Sequence, residues 1–130
     1  MKSSLKHYFP FLLFLIFPLL GLYYLYDYAV NSPYKINPSV AKKMIKNKKF
    51  DLILDVRTNL ERQTLGYYPG SVHIQSADLK NQMHRDFPNK NIHILAYCNS
   101  GQRARKATEI LHELGYKNAL YIATPHTTIM

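Results

Sequence analysis

From Phe9 to Tyr26 the chain runs 18 residues without a charge, FPFLLFLIFPLLGLYYLY, apolar on every side. A helix that is hydrophobic all round belongs either inside a large core or in lipid. A chain of 130 residues has room for only one domain of modest size beside it. The length lies near the lower end of the roughly 17–25 residues that span hydrocarbon as a helix. Tyr23, Tyr24, Tyr26 and Tyr28 gather at its far end, as suits a bilayer interface. Pro10 is expected in the first helical turn, where its missing N–H does no harm, and Pro18 is expected to kink the middle. A cleaved signal peptide is the competing reading, since Lys2 and Lys6 would make a basic leader. The apolar run is longer than the usual signal core, however, and YLYDYAVNS is a poor small-residue cleavage site. The expected organisation is a short basic N-terminus over 1–8, a transmembrane helix over 9–26, a linker over 27–33 and one domain over 34–130.

Lys and Arg number 17 against 8 Asp and Glu, a formal charge of +9, which favours anionic partners. Lys2 and Lys6 precede the apolar run, while Lys35, Lys42, Lys43 and Lys46 follow it, so the count leans towards a domain facing the cytoplasm. The run KKMIKNKK reads as a solvated helix face or as a patch on anionic lipid. NPSVAKKMI supports a helix there: Asn37 caps, Pro38 takes the first position, and Val40/Met44 with Ala41/Ile45 form an inner stripe. The lysines have no interleaved aromatic residues, and no nucleic-acid partner is expected. The single cysteine, Cys98, excludes an intramolecular disulfide. The six histidines lack ligand spacing, so no metal is expected.

Beyond residue 30 apolar strands alternate with helices. FDLILDV (50–56), SVHI at the end of 67–74, NIHILAYC (91–98) and KNALYIA (117–123) read as strands. LERQTLG (60–66), ADLKNQMHRDF (77–87) and RARKATEILHELG (103–115) read as helices. In the last, Ala104, Ala107, Leu111 and Leu114 share a face and Gly115 supplies the stop. Such alternation implies an α/β fold with a mainly parallel central sheet flanked by helices, in three layers. Chemistry then collects in the loops at the carboxyl ends of the strands, here after Asp55-Val56-Arg57 and at Cys98.

The segment CNSGQRA turns sharply from strand to helix. Gly101 permits the turn, and the backbone N–H groups of such a turn can converge on an anion at a helix N-terminus. Arg103 and Arg105 add positive charge, which favours a thiolate, a persulfide or a bound oxyanion there. A lone cysteine at a strand end is more often inert packing. A glycine three residues on and an arginine five residues on are not packing requirements, and they point to a reactive Cys98.

Two ordered motifs resemble the rhodanese family. LILDVRTNLERQTLGYYPGSVHI is similar to its front half, with Asp-Val-Arg, a following Glu and a Gly-x-x-Pro-Gly turn. ILAYCNSGQRARKATEILHELGYKNALYI is similar to its back half, with the Cys-x-x-Gly-x-Arg loop. The resemblance covers about residues 34–122 and implies a rhodanese-like fold and a sulfurtransferase. Cys98 would then be partly exposed, accept sulfane sulfur from thiosulfate or a protein persulfide, carry it as a persulfide and pass it to cyanide or a thiol. It implies that Asn99, Ser100, Gly101, Gln102 and Arg103 form the loop that supplies N–H groups to the persulfide. Arg103 would help hold loop and anion, and Arg105 would add charge beside it. Asp55 and Arg57 would brace the neighbouring loop, and no metal or organic cofactor is implied. Four residues separate Cys98 from Arg103, whereas phosphatase-like and arsenate-reductase-like relatives have five, and Tyr97 stands where phosphatase loops usually carry His; both argue for sulfur over phosphate.

Three departures stand against the family pattern. Tyr67 replaces the usual His after Gly66, and Ala104 replaces the usual Ser or Thr. The chain also ends TPHTTIM where the family continues through a Gly-Gly turn into a closing helix. That edge of the site is therefore expected to be open, supplied by the membrane or a partner, or missing. Two alternatives remain: a non-catalytic interaction domain that kept the fold, and an oxyanion enzyme of the phosphatase or arsenate-reductase type.

Overall fold

The runs LILD and ILAY have no polar face, so they are stable only in a sheet covered on both sides. The computed structural model describes residues 2–130; Met1 and the side chains of residues 2–5, including Lys2 of the expected basic N-terminus, lie outside the described residues. The chain divides into two units, Met1–Pro33 and Tyr34–Met130.

The first unit is one helix, α1 (Lys2–Val30). It begins before the expected 9–26 span and continues to Val30, so Pro10 lies well inside it rather than in its first turn, as does Pro18. Its large apolar side chains from Tyr8 to Val30 are exposed.

The second unit follows the order α2 (Pro38–Lys46), β1 (Leu52–Asp55), α3 (Asn59–Leu65), β2 (Val72–His73), α4 (Leu79–Asp86), β3 (Ile94–Tyr97), α5 (Gln102–Glu113), β4 (Ala119–Tyr121), with 3₁₀ turns at Ser76–Asp78 and His126–Ile129. The four strands form one parallel sheet in the order β2-β1-β3-β4. The strands are shorter than their apolar runs, and buried side chains continue past them: Val56 and Cys98 stay in the core beyond the ends of β1 and β3. The Pro69-Gly70 turn leaves β2 only two residues.

Alternation along β3 sends Ile94, Ala96 and then Cys98 to one face, where Leu79, Met83, Ala104, Ala107 and Leu111 from α4 and α5 pack. Leu95 and Tyr97 point to the other face, with Ala41, Ile122 and Ile129. This is why the strand is apolar at every position. Ala104, Ala107 and Leu111 are fully buried as the helical pattern requires, while Leu114 lies at the edge of the core.

Asn37 caps α2 by accepting the N–H of Ser39 at 3.0 Å, with Pro38 in the first turn. Only part of the expected stripe faces inward. Ala41 is buried and Ile45 partly so, but Val40 is 47 % exposed, because a nine-residue helix meets the sheet along one narrow line. The helix ends in a Schellman turn, in which Lys48 N–H bonds Ile45 O and Lys49 N–H bonds Met44 O, both at 2.9 Å. The left-handed position falls on Lys48, at φ 55°. A left-handed conformation costs an L-residue about 1–2 kcal/mol, and glycine's greater freedom when unfolded returns about 0.4–1 kcal/mol of that. Lys48→Gly is therefore expected to leave stability unchanged or raise it by up to about 1 kcal/mol. Chemical denaturation in detergent measures this; a clear loss would contradict the strain argument.

Candidate active site

Strand order reverses at β1: the chain steps from β1 to β2 on one side, then crosses to β3 and β4 on the other. The crevice at such a reversal lies beyond the carboxyl ends of β1 and β3, which are in register at Asp55 and Tyr97. Both loops singled out in the sequence therefore leave the sheet side by side.

The cysteine loop ends at Gly101, φ 102°, which starts α5 one residue earlier than expected, at Gln102. Gly101 N–H and Ala104 N–H donate to Cys98 Sγ at 3.1 and 3.4 Å. The second donor lies one residue beyond the expected Asn99–Arg103 arc. Two N–H groups and the positive end of a 12-residue helix thus converge on one sulfur, an arrangement that stabilises negative charge there.

Cys98 is not partly exposed, as expected, but 1 % exposed. The edge expected to be open, supplied by the membrane or a partner, or missing is covered by the chain itself. Residues 126–129 form a 3₁₀ turn that buries Ile129 against Ala41, Leu95, Tyr97 and Ile122. Ahead of that turn, Ala123 lies against the cysteine loop. A Cβ on Gly101 would fall 2.6 Å from Ala123 Cα and 2.7 Å from its Cβ. Glycine is therefore required at 101 twice over, for its φ and for this contact. Gly101→Ala is expected to cost about 3 kcal/mol and to slow any reaction of the thiol. Thermal unfolding checks the first effect and alkylation of Cys98 the second; an unchanged midpoint would contradict the contact.

The neighbouring loop is braced by Arg57, which is 1 % exposed. Its Nε donates to Asp55 Oδ1 and its Nη2 to Asp55 Oδ2, both at 2.9 Å. The same Nη2 reaches Gly66 O at 2.6 Å, and Nη1 reaches Asn99 Oδ1 at 3.3 Å. Burial pushes the Asp55 carboxyl upward, but the hydrogen bonds and charge of Arg57, with help from Arg62, outweigh it and hold the group below its ordinary value.

A second bridge crosses the site. Thr58 and Glu61 form a capping box at the start of α3. Glu61 also accepts both terminal nitrogens of Arg103 at 2.7 Å and Asn99 Nδ2 at 3.0 Å. The hydrogen bond from Arg103, then the N–H of Thr58, pulls the Glu61 carboxyl down to about 2. Arg103 thus ties the cysteine loop to α3 through Glu61. Arg105 pairs instead with Glu109, one helical turn on, at 3.1 Å. Ser100 and Gln102 are exposed.

Glu61 was legible only as the Glu that follows Asp-Val-Arg in the family pattern; its carboxylate is the hub that joins Arg103 and Asn99. The other unanticipated residue is His126, 6 % exposed, its ring 5.7 Å from that of Tyr97 and its Nδ1 without a hydrogen-bond partner. Burial first, and the charge of Arg57 second, push its imidazole down. Among the described residues, no group of three or more His, Cys, Asp or Glu is arranged to hold a metal ion.

A parallel α/β sheet with a cysteine cradled by backbone N–H groups at its switch point defines the class: an α/β domain whose candidate site is built around one sulfur. The chain belongs to the rhodanese-like domain family, whose profile matches residues 37–124. It is 33 % identical over 63 residues to the thiosulfate sulfurtransferase PspE of Escherichia coli, a match covering 48 % of this chain and 60 % of PspE. It is 30 % identical over 89 residues to the rhodanese domain-containing protein CG4456 of Drosophila melanogaster, covering 60 % of this chain and 80 % of that protein. Its fold is similar to that of the human single-domain sulfurtransferase TSTD1, with a TM-score of 0.64 at 19 % identity over 75 % of this chain and 95 % of that one. The fold is rhodanese-like, with a parallel four-stranded sheet flanked by helices and a long apolar helix before it.

Proposed function

We propose that this chain is a membrane-anchored sulfurtransferase that carries sulfane sulfur as a persulfide on Cys98. The observation that carries the reading is the convergence of Gly101 N–H and Ala104 N–H on Cys98 Sγ. In the first half-reaction the thiolate attacks the outer sulfur of thiosulfate, its S–S bond breaks, and sulfite leaves with the bonding pair. In the second, a thiolate or cyanide attacks the outer sulfur of the persulfide, and Cys98 departs as thiolate, restored. The two N–H donors stabilise negative charge on sulfur in both resting and loaded forms. Arg57 and the Glu61–Arg103 bridge hold the loop in that geometry; Asn99 links the two. PspE, a thiosulfate sulfurtransferase by name, supports this substrate class.

The anchor reading rests on a helix, Lys6–Val30, long and apolar enough to cross a membrane, with none of it buried. An apolar surface of that size is unstable in water. On the lysine count, the domain faces the cytoplasm, where a thiol stays reduced. A signal sequence would look the same, so N-terminal sequencing of the mature chain distinguishes the two.

The test is intact mass of the full chain in detergent after incubation with thiosulfate. The expected result is a gain of one sulfur on Cys98, removed by cyanide. No adduct, while the thiol is still alkylated under the same conditions, overturns the sulfur reading. The burial of Cys98 favours one second reading, a rhodanese-fold interaction module, in which Cys98→Ser leaves biological behaviour unchanged.

A further inference from the structure

Six lysines, Lys35, Lys42, Lys43, Lys46, Lys48 and Lys49, fall in a stretch with no Asp or Glu between Asp27 and Asp51, and they account for most of the +9 net charge. Lys42, Lys43, Lys46, Lys48 and Lys49 are all exposed. Among the described residues, none of these five is held in an ion pair. Like charges so close together repel one another, and among the described residues none of these five has a carboxylate at ion-pair distance to relieve it. Lys48 adds a second cost, since it occupies the left-handed position of the α2 turn that glycine fills more easily. Two unfavourable features thus meet on one face, and an external anionic surface would offset the larger of them.

We propose that α2 and its terminal turn are a docking surface for anionic lipid headgroups. The inference rests on the membrane-anchor part of the proposed function. Only residues 31–37 separate the end of α1 from the start of α2. Seven residues reach at most about 25 Å even when fully extended, so a bilayer holding α1 keeps the lysines near its headgroups. Attraction to a charged bilayer falls off within a Debye length, about 10 Å at 0.1 M salt, and the short tether raises the local concentration of the patch inside that zone. From Asn37 to Lys49 the stretch holds no aromatic residue to stack on bases, which disfavours nucleic acid as the occupant.

The test reconstitutes the full chain in nanodiscs of phosphatidylcholine alone or of phosphatidylcholine with phosphatidylglycerol. Lysine acylation rates are then read site by site by mass spectrometry. In the anionic discs Lys42, Lys43, Lys46, Lys48 and Lys49 are expected to react several-fold more slowly. Lys80, Lys106 and Lys117, exposed elsewhere on the domain, are expected to be unchanged. The protection is expected to vanish at about 1 M salt, where screening is near 3 Å. Lys48→Gly should weaken the hold by about fivefold, the contribution of one charge, without lowering the unfolding midpoint. Equal rates in both discs, or slowing of every lysine alike, overturns the proposal. A chain that fails to co-purify with discs overturns the anchor reading and this proposal with it, whereas failure of site-specific protection in loaded discs overturns this proposal alone.

Discussion

Replacement of Cys98 by serine is expected to abolish sulfur loading while leaving the fold intact. Serine fills nearly the same volume, and its oxygen can accept the N–H groups of Gly101 and Ala104 that now reach the sulfur. The stability change should therefore stay within about 1 kcal/mol. Chemically the change is large. The hydroxyl of serine does not ionise near neutral pH and does not form a persulfide, so sulfur transfer from thiosulfate to cyanide should fall by a factor on the order of 10³ or more. Formation of thiocyanate and the intact mass are the two readouts. Retention of transfer by Cys98→Ser would sink the persulfide mechanism. Burial adds a kinetic signature: with Cys98 only 1 % exposed and Ala123 over the loop, a donor reaches the sulfur only when that segment moves. The loading rate of the native chain should then stop rising with thiosulfate concentration and level off at the opening rate, and alkylation should reach the same plateau. A loading rate that stays linear in donor would mean that the sulfur is reached without opening.

The parts of this architecture that follow from periodicity were legible. ILAY and the first three residues of LILD are apolar because each strand is covered on both faces, and Ala104, Ala107 and Leu111 repeat at helical spacing because α5 lies on the sheet. Gly101 could be placed by its turn alone. What the sequence did not disclose are contacts between side chains far apart in it. Glu61 and Arg103 are separated by 42 residues, as are Arg57 and Asn99, and no local pattern joins them. Glu61 stood in the family pattern, but neither its capping box with Thr58 nor its bond to Arg103 was read from the sequence. The covering of Cys98 was missed for a related reason. TPHTTIM has no periodicity, and it is anchored by Ile129, which enters a cluster assembled from α2, β3 and the residue after β4, and by the buried His126. Arg105 illustrates the converse: charge beside the loop suggested an anion contact, but Glu109 lies at the i+4 position of the same helix and takes the guanidinium.

Arg57→Met is expected to be the most destabilising change outside the cysteine loop, costing about 3–5 kcal/mol. Methionine keeps only an apolar stem in place of the side chain and leaves Asp55, which is fully buried, with the backbone N–H of residue 57 and one nitrogen of Arg62 at 3.1 Å. The carbonyl of Gly66 and the amide oxygen of Asn99 lose a donor as well, so the loops on both sides of the crevice loosen together. A loss of that size is a large fraction of the roughly 5–15 kcal/mol that holds a domain folded. The pH dependence identifies the cause. In the native chain Asp55 is held below its ordinary value, so its contribution is fully present above the unfolded value, near 4, and is lost as pH falls through the folded one. In Arg57→Met burial becomes the dominant influence on that carboxyl, and protonation relieves the variant instead of harming it. The stability gap between the two proteins should therefore be widest near pH 7 and narrow as the pH drops below about 4. Arg57→Lys, which keeps the charge but loses the forked geometry, should fall between them. Denaturation midpoints measured across that pH range decide the matter: a gap that does not change with pH would mean that Arg57 acts by filling space, and that Asp55 is not held ionised by it.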